Sequence, residues 1–586
     1  MILQALTRYY QELERREEIA GPGWGPVKVS YALEISVNGT LEQVIPVQTE
    51  QQRGKKTVLA PREMILPAPV KRTVGVAANF LCDNSAYLLG IDRKGKPQRT
   101  AQCFAACQSL HRELLTNVNI PAARAVLAFF QTWEPDRAWE HPALADCLED
   151  ILAGANLIFR YDGHFVHEDP EIRRVWERYY NTDTDGPQGL CLVTGETGPI
   201  VAIHPAIKNV AGAQPSGAAL VSFNAPAFCS YGKEQNLNAP TGKYAAFAYT
   251  AALNHLLSDR EHVYHAGDTT VVCWAGNAAD AYSILFGGAV FGVETPYSEA
   301  DLRGMVKALC GGRPVDVQEE RLDPDMEFYV LGLSPNAARL SVRFFLHNTF
   351  KGFLDNVQSH YRRLEIVRSA YDKFETLPLW KLLSETVNQK ARDKSPAPNL
   401  AGEIVQAILN DTPYPATLLN GVTLRIRAER EITRGRAAII KAYYKKLAEV
   451  TKHENPDIPE EVLRVSLNEN SSSIPYTLGR SFSVLEAIQS AANPGINATI
   501  KDKYFNSAAA TPAIVFPTLI NLAQKHLKKL GTSNKGLAVT YDKHLTELLS
   551  MLGDAFPARM SLPQQGAFQL GYYHQTQARY RKKEEN

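Results

Sequence analysis

Histidines and carboxylates gather twice along the chain, at His262, His265 and Asp268 and at His164, His167 and Asp169. Side chains of these types can hold a divalent cation and activate water for phosphodiester cleavage. Neither set has a recognised ligand spacing, and no His-Asp dipeptide occurs. Surface or packing roles account for these histidines better, and a metal-dependent nuclease built on His262, His265 and Asp268 stands as the rival reading. A P-loop is absent: Gly-Lys occurs at 54, 95, 232 and 242 and is followed by Lys, Pro, Glu or Tyr, never by the Ser or Thr that holds magnesium. No Gly-x-Ser-x-Gly elbow is present. Cys103 and Cys107 have three residues between them and no second pair, which suits structural thiols better than zinc. The expectation is a non-enzymatic chain with no catalytic residue, no metal and no cofactor.

A different chemistry is concentrated in one amide-rich segment: His204 to Lys208, Gln214 to Gly217, Val221 to Phe228 including Asn224, and Ser230-Tyr231-Gly232-Lys233-Glu234-Gln235-Asn236-Leu237-Asn238. Asn and Gln donate and accept, so they can read base edges, while Lys208 and Lys233 can meet phosphates. The same residues also build ordinary turns. A second segment, Asn79-Phe80-Leu81-Cys82-Asp83-Asn84, sets an aromatic among amides, where Phe80 can stack on bases or sit in a core.

Charge supports the same direction through its distribution. The chain has 586 residues, 63 of them Lys or Arg against 62 Asp or Glu. Residues 51–100 hold ten basic side chains, Lys71 and Arg72 among them, against three acidic ones. From Arg425 to Lys446 there are eight, including Arg427, Arg430, Arg434, Arg436 and Lys441, against two. Each run is either a polyanion contact or a solvated face. From Glu134 to Asp185 acid dominates, 13 to 5, a patch that would face away from nucleic acid. No N-terminal signal and no apolar run of about 18 residues occurs, so a cytoplasmic location without a membrane is expected.

The elements that must position these residues are legible in outline. Ile2, Leu6, Tyr9 and Leu13 predict a helix. Val27 to Ile35 alternates up to Asn38-Gly39, and Leu41 to Val47 returns, a hairpin. Short β-like runs at Gly189–Val193, Ala218–Phe223 and Thr269–Trp274 surround a helical stretch at Lys243–Leu257. After Gly332 helical spacing dominates, and the last stripes (Leu478 to Ile488, Phe516 to Leu530, Tyr541 to Leu552, Pro563 to Arg581) predict a four-helix bundle, with Pro517 in the first turn of its second helix. The fold class is α+β: a mixed domain over 1–340, a helical linker with the basic stripe over 341–470, and a bundle over 471–586 carrying Lys525, Lys528 and Lys529 on a polar face.

Many of these words, in this order, resemble the Csd-type large subunit of type I-C CRISPR Cascade: Phe80 to Gly90, His204 to Leu257, Gly267-Asp268-Thr269-Thr270, Leu331 to Arg339, Tyr414-Pro415, Arg425 to Arg430, Leu478-Gly479-Arg480, Gln565-Gly566 and Gly571 to Gln575. The resemblance implies a non-catalytic subunit that recognises the short PAM duplex, promotes local opening of DNA and stabilises the R-loop. Its implied partners are guide RNA, target DNA, the backbone and guide-end subunits, a small subunit and a recruited helicase-nuclease. On it, Asn79, Asn84, Lys208, Asn224, Lys233, Gln235 and Asn238 are assigned to the PAM, Phe80 or Tyr231 to an aromatic wedge, and Lys71 and Arg72 to flanking phosphates. Arg425, Arg427, Arg430, Arg434, Arg436, Lys441, Lys525, Lys528 and Lys529 are assigned to the DNA backbone. The resemblance also implies separate translation of the bundle as a small subunit. No Met lies between Met326 and Met551, so that start would use a codon read here as Val462, Val465 or Leu467.

Overall fold

The opening apolar stripe folds as expected into α1 (Ile2–Arg15), burying Leu6, Tyr9, Tyr10 and Leu13. The computed structural model describes all residues except 54–55, 71, 73–74, 183–185, 318–319, 370, 398 and 585–586. Two units are distinguished, residues 3–205 with 222–252 and residues 206–221 with 253–586.

In the first unit the alternating run after α1, which predicts a single strand, divides at Ser30 into β1 (Trp24–Val29) and β2 (Tyr31–Ile35). The chain changes partners there, because Ser30 gives its N–H to Asn156 and takes that of Val47. The turn at Gly39, φ +79, leads into β3 (Leu41–Pro46). Next come β4 (Gln48–Arg53), β5 (Lys56–Pro67), β6 (Cys82–Asn84), α2 (Pro97–Leu115), α3 (Pro121–Thr132), β7 (Asn156–Tyr161), α4 (Pro170–Thr182) and α5 (Lys243–Ser258), along which the chain passes into the second unit. One sheet runs β1-β5-β4 and a second β3-β2-β7-β6, with β2 and β7 parallel, and Gln188–Leu190 pairs with Thr197–Pro199 in a small third one. Alternation gives the second sheet two buried faces: Leu33, Leu157 and Phe159 pack with Val126 and Phe129 of α3, while Ala32 and Ile158 pack with Val29, Met64 and Leu66.

The second unit is built on an antiparallel sheet of β8 (Val263–Ala266), β9 (Thr269–Ala275), β10 (Glu327–Asn336) and β11 (Arg339–Thr349). Val271, Cys273, Phe328 and Val330 share a core with Phe286 of α6 (Asp280–Phe291) and Phe350 and Phe353 of α7 (Phe350–Leu364). The expected strand at Ala218–Phe223 is reduced to single bridges at Ala218 and Ala219. Helices follow, among them α8 (Ala416–Glu429) and α9 (Arg434–Thr451), and with about 49% helix and 16% strand the fold is α+β.

The terminal bundle has five helices among the described residues, one more than the stripes predict: α10 (Ile474–Ala492), α11 (Ile500–Ala510), α12 (Pro512–Ser533), α13 (Lys535–Ser550) and α14 (Leu562–Glu584). The extra one, α11, buries few large side chains and declares itself mainly by the capping box of Thr499 and Asp502. Pro512 opens α12, and Pro517 stands inside it instead of in its first turn. Two glycines set how closely α10 and α14 cross. A methyl on Gly479 would fall on the carbonyl oxygen of Phe568, and one on Gly571 on that of Tyr476. In an exposed helix Gly→Ala stabilises by about 1 kcal/mol. Here the methyl meets backbone that cannot turn aside, and overpacking costs about 1–3 kcal/mol or more. Gly479→Ala is therefore expected to lower the midpoint of chemical unfolding; an unchanged or raised midpoint would show that the helices separate freely.

Candidate nucleic-acid interface

Asp83 organises the first candidate segment. Its carboxylate is 1% exposed, and a buried charge requires partners. Oδ1 accepts from Arg72 Nη1 at 3.0 Å and from the Asn84 amide at 2.8 Å, while Oδ2 accepts from the Asn79 amide at 3.0 Å and from Arg72 Nη2. The Arg72 guanidinium lies 3.9 Å over the Tyr87 ring and donates from Nε to Ala77. Asn79 Oδ1 accepts from the Val70 N–H at 3.0 Å, and Asn84 Oδ1 caps the short helix Ser85–Leu88 through Ala86 N at 3.0 Å. The structure thus joins Arg72, Asn79 and Asn84, with the side-chain oxygens of both asparagines and the Arg72 guanidinium already bonded. Lys71 lies outside the described residues.

Phe80, offered as a wedge, is 1% exposed, stacked on Trp176 at 5.5 Å. Its ring is core, and the wedge role rests on Tyr231 alone. The Leu81 amide donates to His111 Nε2 at 2.9 Å, and burial pushes the His111 imidazole down to about 4, so it stays a neutral acceptor.

Beside this segment a cleft of about 720 Å³ opens, lined by Arg72, Asn84, Arg93, Lys94, Lys96 and Arg99, with Leu152 to Gly154 and Asn156 opposite. Arg93 reaches Glu149 at 3.3 Å and Arg99 donates to the Gly75 carbonyl at 3.0 Å. Lys94 and Lys96 are exposed and make no ion pair among the described residues. Lys96 is the N-cap of α2, so the cleft also receives the positive end of a 19-residue helix. The sequence contained these lysines within a charge count, and Lys-Gly-Lys-Pro opening a helix was the signal that could have singled them out.

The second segment forms a braced loop. Asn238 Oδ1 accepts from Ser230 N at 2.8 Å, and its Nδ2 donates to the carbonyls of Gln235 at 2.9 Å and Lys233 at 3.2 Å. Buried Asn236 donates to Val201 at 2.9 Å. Asn238 therefore shapes the loop and has no amide proton left for a base. At the tip Tyr231 is 97% exposed with φ +54, followed by Gly232 at φ +67, exposed Lys233, and Gln235 at φ +44. Left-handed φ at a bulky residue is an outlier that surrounding structure must hold. Asn224 is exposed, as is Lys208, which belongs to the second unit and gives its N–H to Asn254 Oδ1 at 2.8 Å.

The basic stripe is largely turned inward, contrary to its assignment to a DNA backbone. Arg436, 2% exposed, pairs with Glu385 at 3.4 Å and with Glu429. Lys441, 1% exposed, donates to the Arg363 carbonyl at 2.8 Å, and burial brings its ammonium down to about 8. Arg434 meets Asp372 at 3.0 Å, and Arg425 reaches Glu429 at 3.6 Å. Arg436 and Lys441 join α9 to α8 and α7, Arg434 ties α9 to the Asp372 loop, and Arg425 pairs within α8; Arg427 and Arg430 remain nearer the surface. On α12, by contrast, Phe516, Leu519, Ala523 and Leu527 are buried and Lys525, Lys528 and Lys529 are exposed on another face, Lys529 donating to Asn493 at 2.7 Å.

The rival cluster does not assemble. Among the described residues one group could hold an ion, Asp259, His262 and Asp280, and it excludes His265 and Asp268. His262 bonds Cys273 O at 2.9 Å and Asp280 at 3.0 Å, and Asp268 meets Arg343 at 3.0 Å.

Residues 6–580 match the family described as "CRISPR-associated protein (Cas_Csd1)". The chain belongs to this family. It is thus a CRISPR-associated, Cascade-type subunit, acting in a multi-subunit CRISPR complex. No curated protein matches it. No helix among the described residues is long and apolar enough to cross a membrane.

Asp83→Asn keeps the side-chain shape but removes the charge that neutralises Arg72. Because Arg72 is a quarter exposed, the lower range for a broken buried pair applies, about 2–3 kcal/mol. Hydrogen exchange of the amides of Asn79 and Asn84 is expected to accelerate in the variant, along with a lower melting temperature. Unchanged protection of those two amides would show that Asp83 does not organise the segment.

Proposed function

We propose that this Csd1-family chain is the non-catalytic large subunit of a type I-C surveillance complex, which senses the PAM duplex with the Tyr231 loop and grips adjoining phosphates in the Lys94–Lys96 cleft. The observation that carries the reading is the braced loop: a fully exposed tyrosine in left-handed backbone, with Lys233 and Gln235 beside it. An aromatic tip with an amide and a cation fits a minor-groove or junction wedge, where a side chain enters a base step while neighbours read an edge. The cleft complements it, since two unpaired ammoniums at a helix N-terminus attract phosphate without reading sequence. In a guide-directed complex base pairing carries most of the specificity, so a short protein contact at the PAM suffices to start opening. The exposed lysines of α12 fit the backbone of a strand in the R-loop. Recruitment of a separate helicase-nuclease agrees with a sequence that has no P-loop.

Tyr231→Ala and Gln235→Ala in the assembled complex are expected to weaken binding of PAM-bearing duplex about tenfold or more, by the 1–3 kcal/mol of a stacked base or a bidentate contact, with little change on duplex lacking the PAM. Equal weakening on both duplexes would remove the loop from recognition. Lys94→Glu with Lys96→Glu is expected to lower binding to both and to reduce the slope of log affinity against log salt by about two, one for each phosphate no longer neutralised. A slope that stays put returns these lysines to a solvated surface.

A further inference from the structure

Where α8, α9 and the start of α14 meet they leave a cavity of about 250 Å³. Two polar side chains in its lining are almost wholly buried, Gln569 at 3% and Tyr444 at 6% exposed. Neither the carboxamide nor the hydroxyl has a hydrogen-bond partner among the described residues. Their polar atoms face the solvent of the cavity and are therefore open to a ligand that enters, and the space is several times the roughly 30 Å³ of one water. Besides Asn420 and Thr423, the rest of the lining is of two kinds. Leu424 and Leu562, 59% and 54% exposed, stand at the mouth, with buried Ile440 behind them. Arg427 is held at the rim by Gln565 Oε1 at 3.0 Å, and Gln565 is held in turn by the Met560 carbonyl at 3.0 Å.

We propose that this cavity receives one unpaired nucleobase from a single strand. The chemistry is that of a flat, mostly apolar ligand with a donor and acceptor edge on an anionic backbone. Leu424 and Leu562 meet the faces of the base, Gln569 and the Tyr444 hydroxyl its edge, and Arg427 the adjoining phosphate. An apolar side chain from a protein partner fits less well, since it leaves the Gln569 amide unsatisfied and gives the arginine no anion. The inference rests on the nucleic-acid-binding reading above, but it concerns residues and a surface that the PAM loop and the cleft do not include.

The test uses the full chain and an oligothymidylate of about 20 nucleotides, long enough for several binding sites, with one thymine replaced by photoreactive 5-iodouracil. Irradiation is expected to cross-link the strand to the peptide carrying Tyr444. Gln569→Leu should weaken binding about 5- to 10-fold, the worth of one satisfied buried polar group, and leave the salt slope unchanged, while Leu424→Asp, which sets a negative charge beside the phosphate, should weaken binding and reduce the slope as well. Tyr444→Phe, which preserves packing, should weaken it by a smaller factor, so a misfolded Gln569→Leu protein does not decide the matter. If the wild-type chain binds the oligonucleotide and these variants bind it equally well, or the cross-links fall elsewhere, the cavity is not a base site while the broader reading stands. If Leu424→Asp impairs assembly with partner subunits and leaves oligonucleotide binding intact, the occupant is a protein and the inference is overturned. If the wild-type chain binds no nucleic acid at all, both readings fall together.

Discussion

A charge removed from water must be neutralised where it lies, and that constraint sorts the basic residues of this chain into two populations. Asp83, Glu385 and Asp411 carry carboxylates buried in part or whole, and Arg72, Arg436 and Lys446 are drawn in to meet them. Isolation of either partner would cost several kcal/mol, far more than a screened contact with a phosphate returns. Lys94 and Lys96 on the cleft, and Lys525 and Lys528 on α12, face no such demand. The cations left for a polyanion are therefore those on exposed loop and helix faces, whatever the local density of charge along the chain.

The close crossing of α10 and α14 has a similar reach. Because Gly479 and Gly571 bring backbone against backbone, α14 is fixed in depth as well as direction, and its other residues inherit fixed positions. Tyr573 donates to the Val367 carbonyl at 2.7 Å, Tyr476 bonds His574 at 2.9 Å, and Arg480 bonds Gln575 at 3.1 Å. Gly566, one turn from the start of the same helix, rests against Tyr444 and Ile440. The cavity beside Gln569 is thus bounded by a helix that cannot slide to fill it, so it persists without collapse.

How far these features could be read from the sequence follows from how local their causes are. The first helix, the Gly39 turn and the α5 stretch depend on spacing within a few residues and were legible. Ser30, where one expected strand becomes two, was not, because its partners Asn156 and Val47 come from other elements. The stripe from Arg425 to Lys446 misled for the same reason: besides Glu429, the carboxylates that claim it, Asp372, Glu385 and Asp411, lie outside the run. Phe80 and Tyr231 show the limit most directly. Both are aromatics beside asparagines or near them, yet one stacks on Trp176 and the other stands in solvent, a difference set by neighbours far along the chain.

On the proposed function, the Tyr231 loop gains from being built stiff. Holding Tyr231 and Gln235 in left-handed backbone costs of order 1–3 kcal/mol each, and the three bonds of Asn238 with the anchor of Asn236 offset it within the free protein. That cost is met at folding and does not recur on binding. Inserting an aromatic into duplex DNA sacrifices a few kcal/mol of base stacking, while exchange of DNA pairing for guide pairing is nearly balanced. On the proposed function, a flexible loop would consume its stacking energy in ordering itself. A loop already ordered delivers that energy to the first base step, where the balance of opening is decided.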